Sequence, residues 1–491
     1  MSIQYNRLDK SSIIEYAKRL ENKSLREICG LNKDLGSFMG KGSFGQFLEK
    51  LYFGYNPNSS PKPDFEEVGI ELKSSPLKYI NKNTQLVAKE RLVLNIINYD
   101  KLIDQKFETS DFWKKNNYLL LVFFLHKTDI SVLDFVIKIV GEWRFPIIDL
   151  TVIQRDWLII QGKVQDGIAH EISEGDTFYL GACTKGANSN SLRRQPNSAL
   201  PAMQRAFSLK QGYLNNIIAT LSSHKTEKYG RLITNPKLVE KYTIEEIVTL
   251  KFIHLLGLGE KDLIKKLKID SSKFSKSKNY HSRLVKLILN SIFEVPIGKS
   301  VEKYIEEFAK SDIIIKTVRL KSNNRPAEST SLPAFKYEEI YAEEWNDSEL
   351  KGQLESKYLF VFFKYDLNNN LYLESLGFWK MNYTDLQSAN KTWDTLKLLI
   401  SKGNIVKEIS RKGNKISRKT TFPAIKSNAI HIRPHATNSY DTFPLPVRDK
   451  VSSLEEYTKH SFWFSGSYIR DEIHSRVLGR MQEVIAKCNS I

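Results

Sequence analysis

The apolar pattern opens on a helical period. Ile13, Ile14, Ala17 and Leu20 share one face, and Ser12 with Glu15 has capping-box spacing just before them. Phe44, Phe47, Leu48 and Leu51 mark a second stripe, predicting a helix over residues 43–52. The texture then changes. Residues 55–63 are rich in Asn, Pro and Ser and read as a loop. Strand-like runs follow at 68–73, 91–99, 118–125 and 147–153, with helix signals at 155–164 and 210–221. This order predicts a mixed α/β domain over residues 1–222.

Residues 223–296 read as a helical connector rich in lysine, with Lys261, Lys265, Lys266, Lys268, Lys273, Lys276 and Lys278 close together. Short basic helices are compatible with a helix-turn-helix DNA reader, but a solvated charged face is the simpler account. Residues 297–491 repeat the order of the first part. Tyr358-Leu-Phe-Val-Phe-Phe363 echoes Tyr118-Leu-Leu-Leu-Val-Phe-Phe124, and Asp312-Ile-Ile-Ile-Lys316 echoes Gly69-Ile-Glu-Leu-Lys73. Trp393 takes the place of Trp157, and Ser461-Phe-Trp-Phe464 the place of Ala206-Phe-Ser-Leu209. The preserved order, more than any single match, argues for internal duplication.

Composition narrows the function. The chain has 491 residues, 41% hydrophobic and 26% charged, an ordinary globular balance. Its formal net charge of +18 points to a polyanionic partner. No apolar run approaches the roughly 20 residues of a spanning helix, and the N-terminus lacks a signal-peptide core. Cys29, Cys183 and Cys488 are far apart, which supports neither a disulfide framework nor a zinc site and fits a reducing cytoplasm.

The chemistry concentrates in Pro63-Asp-Phe-Glu-Glu-Val-Gly-Ile-Glu-Leu-Lys73. On a strand over 68–73, Val68, Ile70 and Leu72 face a core while Gly69, Glu71 and Lys73 face the other way. Asp64 lies in the lead-in and can fold back toward Glu71. Two neighbouring carboxylates repel one another without a cation, and Mg²⁺ prefers oxygen ligands. A lysine beside them can stabilise negative charge developing on a phosphate. Phosphodiester hydrolysis needs these groups together. The E-x-K element alone is commonplace; the Pro-Asp lead and the charge of the chain raise its meaning.

Lys41-Gly-Ser-Phe-Gly-Gln-Phe-Leu-Glu49, Asp64 and Val68-Gly-Ile-Glu-Leu-Lys73 together resemble the MutH mismatch-repair endonuclease. They resemble still more its tandem-domain relatives, the type II restriction endonucleases that cut at GATC. Lys89-Glu-Arg-Leu-Val-Leu-Asn-Ile-Ile-Asn-Tyr99, Glu108-Thr-Ser110 and Thr184-Lys-Gly-Ala-Asn188 extend the match, which runs through most of the chain. The resemblance implies two MutH-like restriction-endonuclease-fold domains of the PD-(D/E)xK class joined by the connector. It implies Mg²⁺ dependence and cleavage before the G that leaves 5′ phosphates. It makes Asp64 and Glu71 metal ligands with the Leu72 carbonyl as a third, and Lys73 the catalytic lysine. Glu49 takes an upstream acidic position that orients metal-bound water, and Lys115 falls near a second active-site lysine.

For DNA reading, Thr184, Lys185, Gly186 and Asn188 form a loop flanked by a strand at 177–180 and by Arg193 and Arg194. Gly186 allows close backbone approach, Lys185 and Asn188 can donate to base edges, and the arginines suit phosphates or guanine. The resemblance places this loop in the major groove. Cys183 and Ser208 depart from the family, where MutH carries arginine and tyrosine, and leave the detailed base contacts open. In the second half Arg433, His435 and Asn438 occupy the matching loop. Aligning Lys316 with Lys73 puts Ile314 at the position of Glu71 and Glu307 opposite Asp64, so this half is expected to bind DNA without cutting it. The expected molecule is monomeric, dimerises on DNA, and has a DNA methyltransferase as its functional counterpart. A methylation-directed nicking nuclease and a non-catalytic DNA-binding regulator are the competing readings.

Overall fold

The computed structural model describes residues 4–31, 43–57, 60–82, 84–186, 191–222, 229–272, 277–413, 415–424 and 429–489. Two compact units divide the chain: Met1–Lys241 with Glu302–Asp312, and Tyr242–Val301 with Ile313–Ile491. The expected boundaries 1–222, 223–296 and 297–491 differ from this division. The helices between the two halves are parts of the units rather than a free connector.

The first unit opens on α1 (Lys10–Lys18), capped by the Asp9 carboxylate on the Ser11 amide. Ser12, expected as the cap, lies inside the first turn and accepts from the Asn6 amide. The helix expected over 43–52 is α2 (Ser43–Phe47) continued by a wider π-helical turn, Leu48–Phe53, which Gly54 ends at φ +73°. The first sheet runs β2-β1-β4-β5, where β1 is Glu71–Ile80, β2 Gln85–Ala88, β4 Leu119–Leu125 and β5 Ile137–Trp143. β1 and β4 are parallel, while β2 and β5 pair antiparallel at the edges. Every residue of β4 is buried, as a strand covered on both faces requires. A second antiparallel sheet orders β3 (Leu92–Ile96), β7 (Arg205–Leu209) and β6 (Leu180–Thr184), with β7 central.

Three strand expectations are corrected. The strand expected at 177–180 begins only at Leu180, as β6, and residues 177–179 lead into it. Residues 68–70 are not strand: Glu66–Val68 is a 3₁₀ turn closed by Gly69 at φ +69°, and β1 begins at Glu71. Residues 147–153 are not strand either but the first two turns of α3 (Ile147–Gln165), which follows Pro146. The apolar run suits both structures, but Ile153, Trp157, Ile160 and Val164 continue it at helical spacing and bury one face. Residues 210–221 are helical as expected, as α4 (Gln211–Leu221).

The helix Glu306–Ser311 also belongs to the first unit. Lys310 Nζ lies 2.9 Å from both Asp149 carboxylate oxygens and 2.8 Å from Glu306. Glu307 accepts from the Leu232 and Ile233 amides at 2.9 Å. This tethering removes Glu307 from the place opposite Asp64 that the sequence alignment gave it.

The second unit follows a similar order, with a first sheet of three strands that has no counterpart of β2 among the described residues. Helices α5 (Ile244–Phe252) and α6 (Tyr280–Ile292) precede β8 (Ile314–Leu320). β8 runs parallel to β10 (Tyr358–Tyr365), which pairs antiparallel with β11 (Leu371–Trp379). The 19-residue α7 (Tyr383–Ser401) matches the 19-residue α3, and Trp393 and Trp157 are both fully buried. A three-stranded sheet again closes the pattern, ordered β9 (Thr330–Phe335), β15 (His460–Phe464), β14 (Ile430–Pro434). Between α7 and β14 lies a hairpin, β12 (Val406–Lys412) and β13 (Lys415–Thr420). The chain ends with α8 (Ser475–Asn489).

Candidate active site

The site is built where β1 begins. Phe65 and Ile70 exchange backbone hydrogen bonds across the 3₁₀ turn, folding the chain back on itself. Asp64 is thereby brought against the first residues of β1. Its Oδ2 accepts from the Leu72 amide at 3.0 Å, and its own amide donates to Glu71 Oε2 at 3.1 Å. Glu71 and Lys73 share a strand face, and Lys73 Nζ lies 2.6 Å from Glu71 Oε1. The expected alternation holds for this pair although the strand starts later than expected.

Two further groups converge. Lys115, on the short helix Asp111–Asn116, is buried, donates to the Ser60 carbonyl at 2.7 Å, and lies 3.5 Å from Glu71 Oε1. Glu49, on the π turn, is half-buried; its helix packs on β1, where a Cβ on Gly45 would meet Ser74 Oγ at 3.2 Å. Burial pushes the Glu49 carboxyl up to about 7, with Asp64 adding repulsion and Lys73 and Lys115 opposing it. Burial likewise pushes Glu71 up to about 7, against the pull of Lys73 and Lys115.

Tyr55 and the Ser60 carbonyl beside this site were not singled out in the sequence. The Tyr55 hydroxyl is buried and has no hydrogen-bond partner among the described residues. Burial, followed by the charges of Asp64, Glu49 and Glu71, pushes its pKa far up. An aromatic residue at the mouth of a Pro/Asn/Ser-rich loop carries no signal of such a role until the loop is folded.

The donor set fits a hard divalent cation. It consists of oxygen donors, the Asp64 charge raises the proton affinity of Glu49 and Glu71, and an orphaned hydroxyl lies beside them. Among the described residues no group of three or more His, Cys, Asp or Glu side chains is gathered into a metal cage. Two carboxylates and water are an ordinary ligand set for Mg²⁺.

The expected DNA-reading residues fall at the ends of strands. Thr184 closes β6, and the Lys185 amide donates to the Gln204 carbonyl at 2.7 Å. Lys185, Gly186, Arg193 and Arg194 are exposed. Asn188 lies outside the described residues, as do Lys41 and Gly42 of the upstream run and Lys273 and Lys276 of the basic helices. Cys183 and Ser208 are both buried within the sheet. In the second unit Arg433 reaches Ser329 Oγ at 2.8 Å and lies over the Trp463 ring at 5.3 Å. His435 Nδ1 is 3.1 Å from Ser461 Oγ, and Asn438 Oδ1 accepts from the Tyr440 amide at 2.8 Å. All three residues are exposed.

Ile314 opens β8 as Glu71 opens β1, each paired with the parallel strand at its first register position. With Glu307 held in the first unit, neither carboxylate of the first site has a counterpart at this strand. Lys316 points instead to the Ser331 carbonyl, 3.0 Å away.

The family model of the DNA mismatch repair enzyme MutH matches residues 53–156, the segment holding Asp64, Glu71, Lys73 and Lys115. The type II restriction enzyme Sau3AI of Staphylococcus aureus is 35% identical over 492 residues, covering 95% of this chain and 98% of its own. With a MutH-like nuclease segment in the first unit and this similarity spanning both units, the chain belongs to the MutH-like type II restriction endonucleases.

Proposed function

We propose that the first unit hydrolyses double-stranded DNA at 5′-GATC-3′, cutting before the G and leaving 5′ phosphates, with Mg²⁺ as cofactor. The observation that carries this reading is the convergence of Asp64, Glu71, Lys73 and Lys115 at the opening of β1. Nucleases of the PD-(D/E)xK class are generally metal-dependent. Asp64 and Glu71, with the Leu72 carbonyl, would hold the ion. When bound, it supplies a polarised phosphate and a water of lowered pKa. Lys73 and Lys115 offer positive charge where the phosphate gains negative charge. Glu49, with a proton affinity near neutrality, can orient the attacking water and take up its proton. Lys185, Gly186, Asn188, Arg193 and Arg194 would read the site, and Arg433, His435 and Asn438 would hold a second copy of it.

The test is digestion of a defined plasmid with Mg²⁺, followed by sequencing of the ends. Four-base 5′ overhangs of GATC support the reading. Blunt ends, or ends unrelated to GATC, overturn it. Accumulation of nicked circles with no linear product would favour a strand-nicking repair nuclease instead. DNA binding without any Mg²⁺-dependent cleavage would favour a regulator.

A further inference from the structure

The two units share a strand order around one long helix and differ, beyond the strand β2 of the first, in how that helix joins the closing sheet. In the first unit, residues 166–179 join α3 to β6 through two short 3₁₀ turns. They carry Asp166, Glu171, Glu174 and Asp176 and no lysine or arginine. The corresponding join in the second unit, residues 402–429, is twice as long and contains the hairpin β12–β13. Its charge is reversed. Lys407, Arg411, Arg418 and Lys419 stand against the single carboxylate Glu408 on the described strand positions.

The base of this hairpin is fixed and its body is not covered. The Ile405 and Val406 amides donate to Asp449 Oδ2 at 2.8 and 2.9 Å, and Thr421 Oγ1 donates to the Asn404 carbonyl at 2.5 Å. Val406 and Phe422 are buried in the core of the unit. Beyond the base, residues 407–411 and 416–419 are all exposed. Cross-strand partners share a face, so Ile409 opposite Arg418 and Arg411 opposite Ile416 make one surface of two isoleucines and two arginines. Ile409 and Ile416 are 41% and 51% exposed. Among the described residues only Lys419 of the four cations has a carboxylate within ion-pair distance, Glu408 at 3.3 Å.

A ribbon covered on neither face gains little stability by itself. Its strands are about 20 Å long, and a two-stranded ribbon fits the DNA major groove. Guanidinium groups suit phosphates and guanine edges, and isoleucine suits thymine methyl groups. We infer that β12–β13 is a DNA-binding arm of the second unit, laid into a groove of duplex DNA by Arg411, Arg418, Ile409 and Ile416 and flanked by Lys407 and Lys419 on phosphates. The inference rests on the reading of this chain as a DNA enzyme. It adds a point of attachment that the strand-end loop at Arg433 does not provide and that the first unit lacks.

The test compares the full chain with a variant carrying Lys407→Ser, Arg411→Ser, Arg418→Ser and Lys419→Ser. Both carry Asp64→Ala, and both are titrated with one GATC-containing duplex over a range of salt. The expected result is an unchanged melting temperature, binding weaker by about tenfold or more, and a salt slope shallower by about one for each phosphate that is no longer neutralised. Restoring charge as Arg411→Lys and Arg418→Lys in the otherwise native ribbon retains the salt slope while altering the fit to the groove. Should the fourfold variant fail to melt cooperatively, Arg411→Ser with Arg418→Ser alone gives the same comparison, with about half the change in slope. Unchanged affinity and slope in a folded variant overturn the arm, leaving a basic ribbon that only guards its edges against other strands. If the unsubstituted ribbon binds no duplex DNA at all, the nuclease reading falls with it; if it binds and the variant matches it, the arm alone falls.

Discussion

Glu71 is almost wholly enclosed, so its charge depends on its neighbours. Burial and Asp64 favour its protonated form, while Lys73 and Lys115 favour the carboxylate. Removing Lys73 therefore weakens the site twice, through the missing charge on the phosphate and through a more protonated Glu71. Lys73→Met is expected to slow single-turnover cleavage by about 10²–10³-fold, with DNA affinity nearly unchanged. Asp64→Ala is expected to abolish cleavage and to retain binding. A Lys73→Met enzyme cutting within twofold of the parent would remove Lys73 from the chemistry. In the second unit, His431 and His460 make a different residue-scale case. Burial lowers both from 6.5 to about 4, with Arg433 adding to the effect on His431 and the Thr458 carbonyl opposing it on His460. Both are held neutral in the fold, so the unfolded chain binds more protons. The stability they contribute is full above about pH 6.5 and is lost as the pH falls toward 4. Urea melts across that window should show a loss on the order of 2 kcal/mol per histidine, and His431→Phe should remove about half of it. A pH-independent midpoint between 6.5 and 4 would contradict this.

At the scale of elements, the short helix Glu306–Ser311 shows how closely backbones meet in the first unit. A Cβ on Gly212 would lie 1.9 Å from the Ala309 carbonyl oxygen, so α4 and this helix pack at that distance only because residue 212 is glycine. Lys310 then pairs with Asp149, and Tyr213 donates to the same carboxylate at 2.9 Å. Replacing Lys310 with methionine leaves Asp149 buried without its cation and is expected to cost about 3–5 kcal/mol in denaturant unfolding. A cost below about 1 kcal/mol would show that the ion pair is incidental. None of this was legible in the sequence, because Glu307 sits at the right spacing from Ile314 and spacing does not reveal that the helix docks elsewhere. β4 and β10 were legible as apolar runs, and Glu71 with Lys73 was legible because a two-residue period survives any shift of the strand's start. Asp64 was read correctly as folding back, whereas the turn that folds it back was read as strand. Residues 147–153 misled because an apolar run bounded by proline serves a buried strand and a buried helix equally. Tyr55 gave no signal, since its position depends on a loop whose path the sequence does not specify.

For the whole molecule, the decisive asymmetry among the described residues is that the carboxylates at the opening of β1 have no counterpart at the opening of β8. Ile314 replaces Glu71, and Glu307 serves the first unit by accepting from Leu232 and Ile233. A single substitution should therefore fail to create a second active centre. In an Asp64→Ala background, Ile314→Glu is expected to yield no cleavage, because it supplies one carboxylate where the first unit holds two. If Asp64 and Glu71 mark the one active centre of the chain, the two strands of a duplex are cut in separate events, or by two chains. Nicked circles should precede linear product at low enzyme concentration, and the second strand should be cut faster as concentration rises. If the second unit holds another GATC site and thereby brings first units together, a two-site plasmid should be cut faster than a one-site plasmid, and short GATC duplexes added in trans should stimulate the latter. Binding at the second unit is then linked to cutting at the first by the free energy of association rather than by any shared chemistry. Equal rates on one-site and two-site plasmids at every enzyme concentration would leave the second unit as a DNA anchor with no influence on the first.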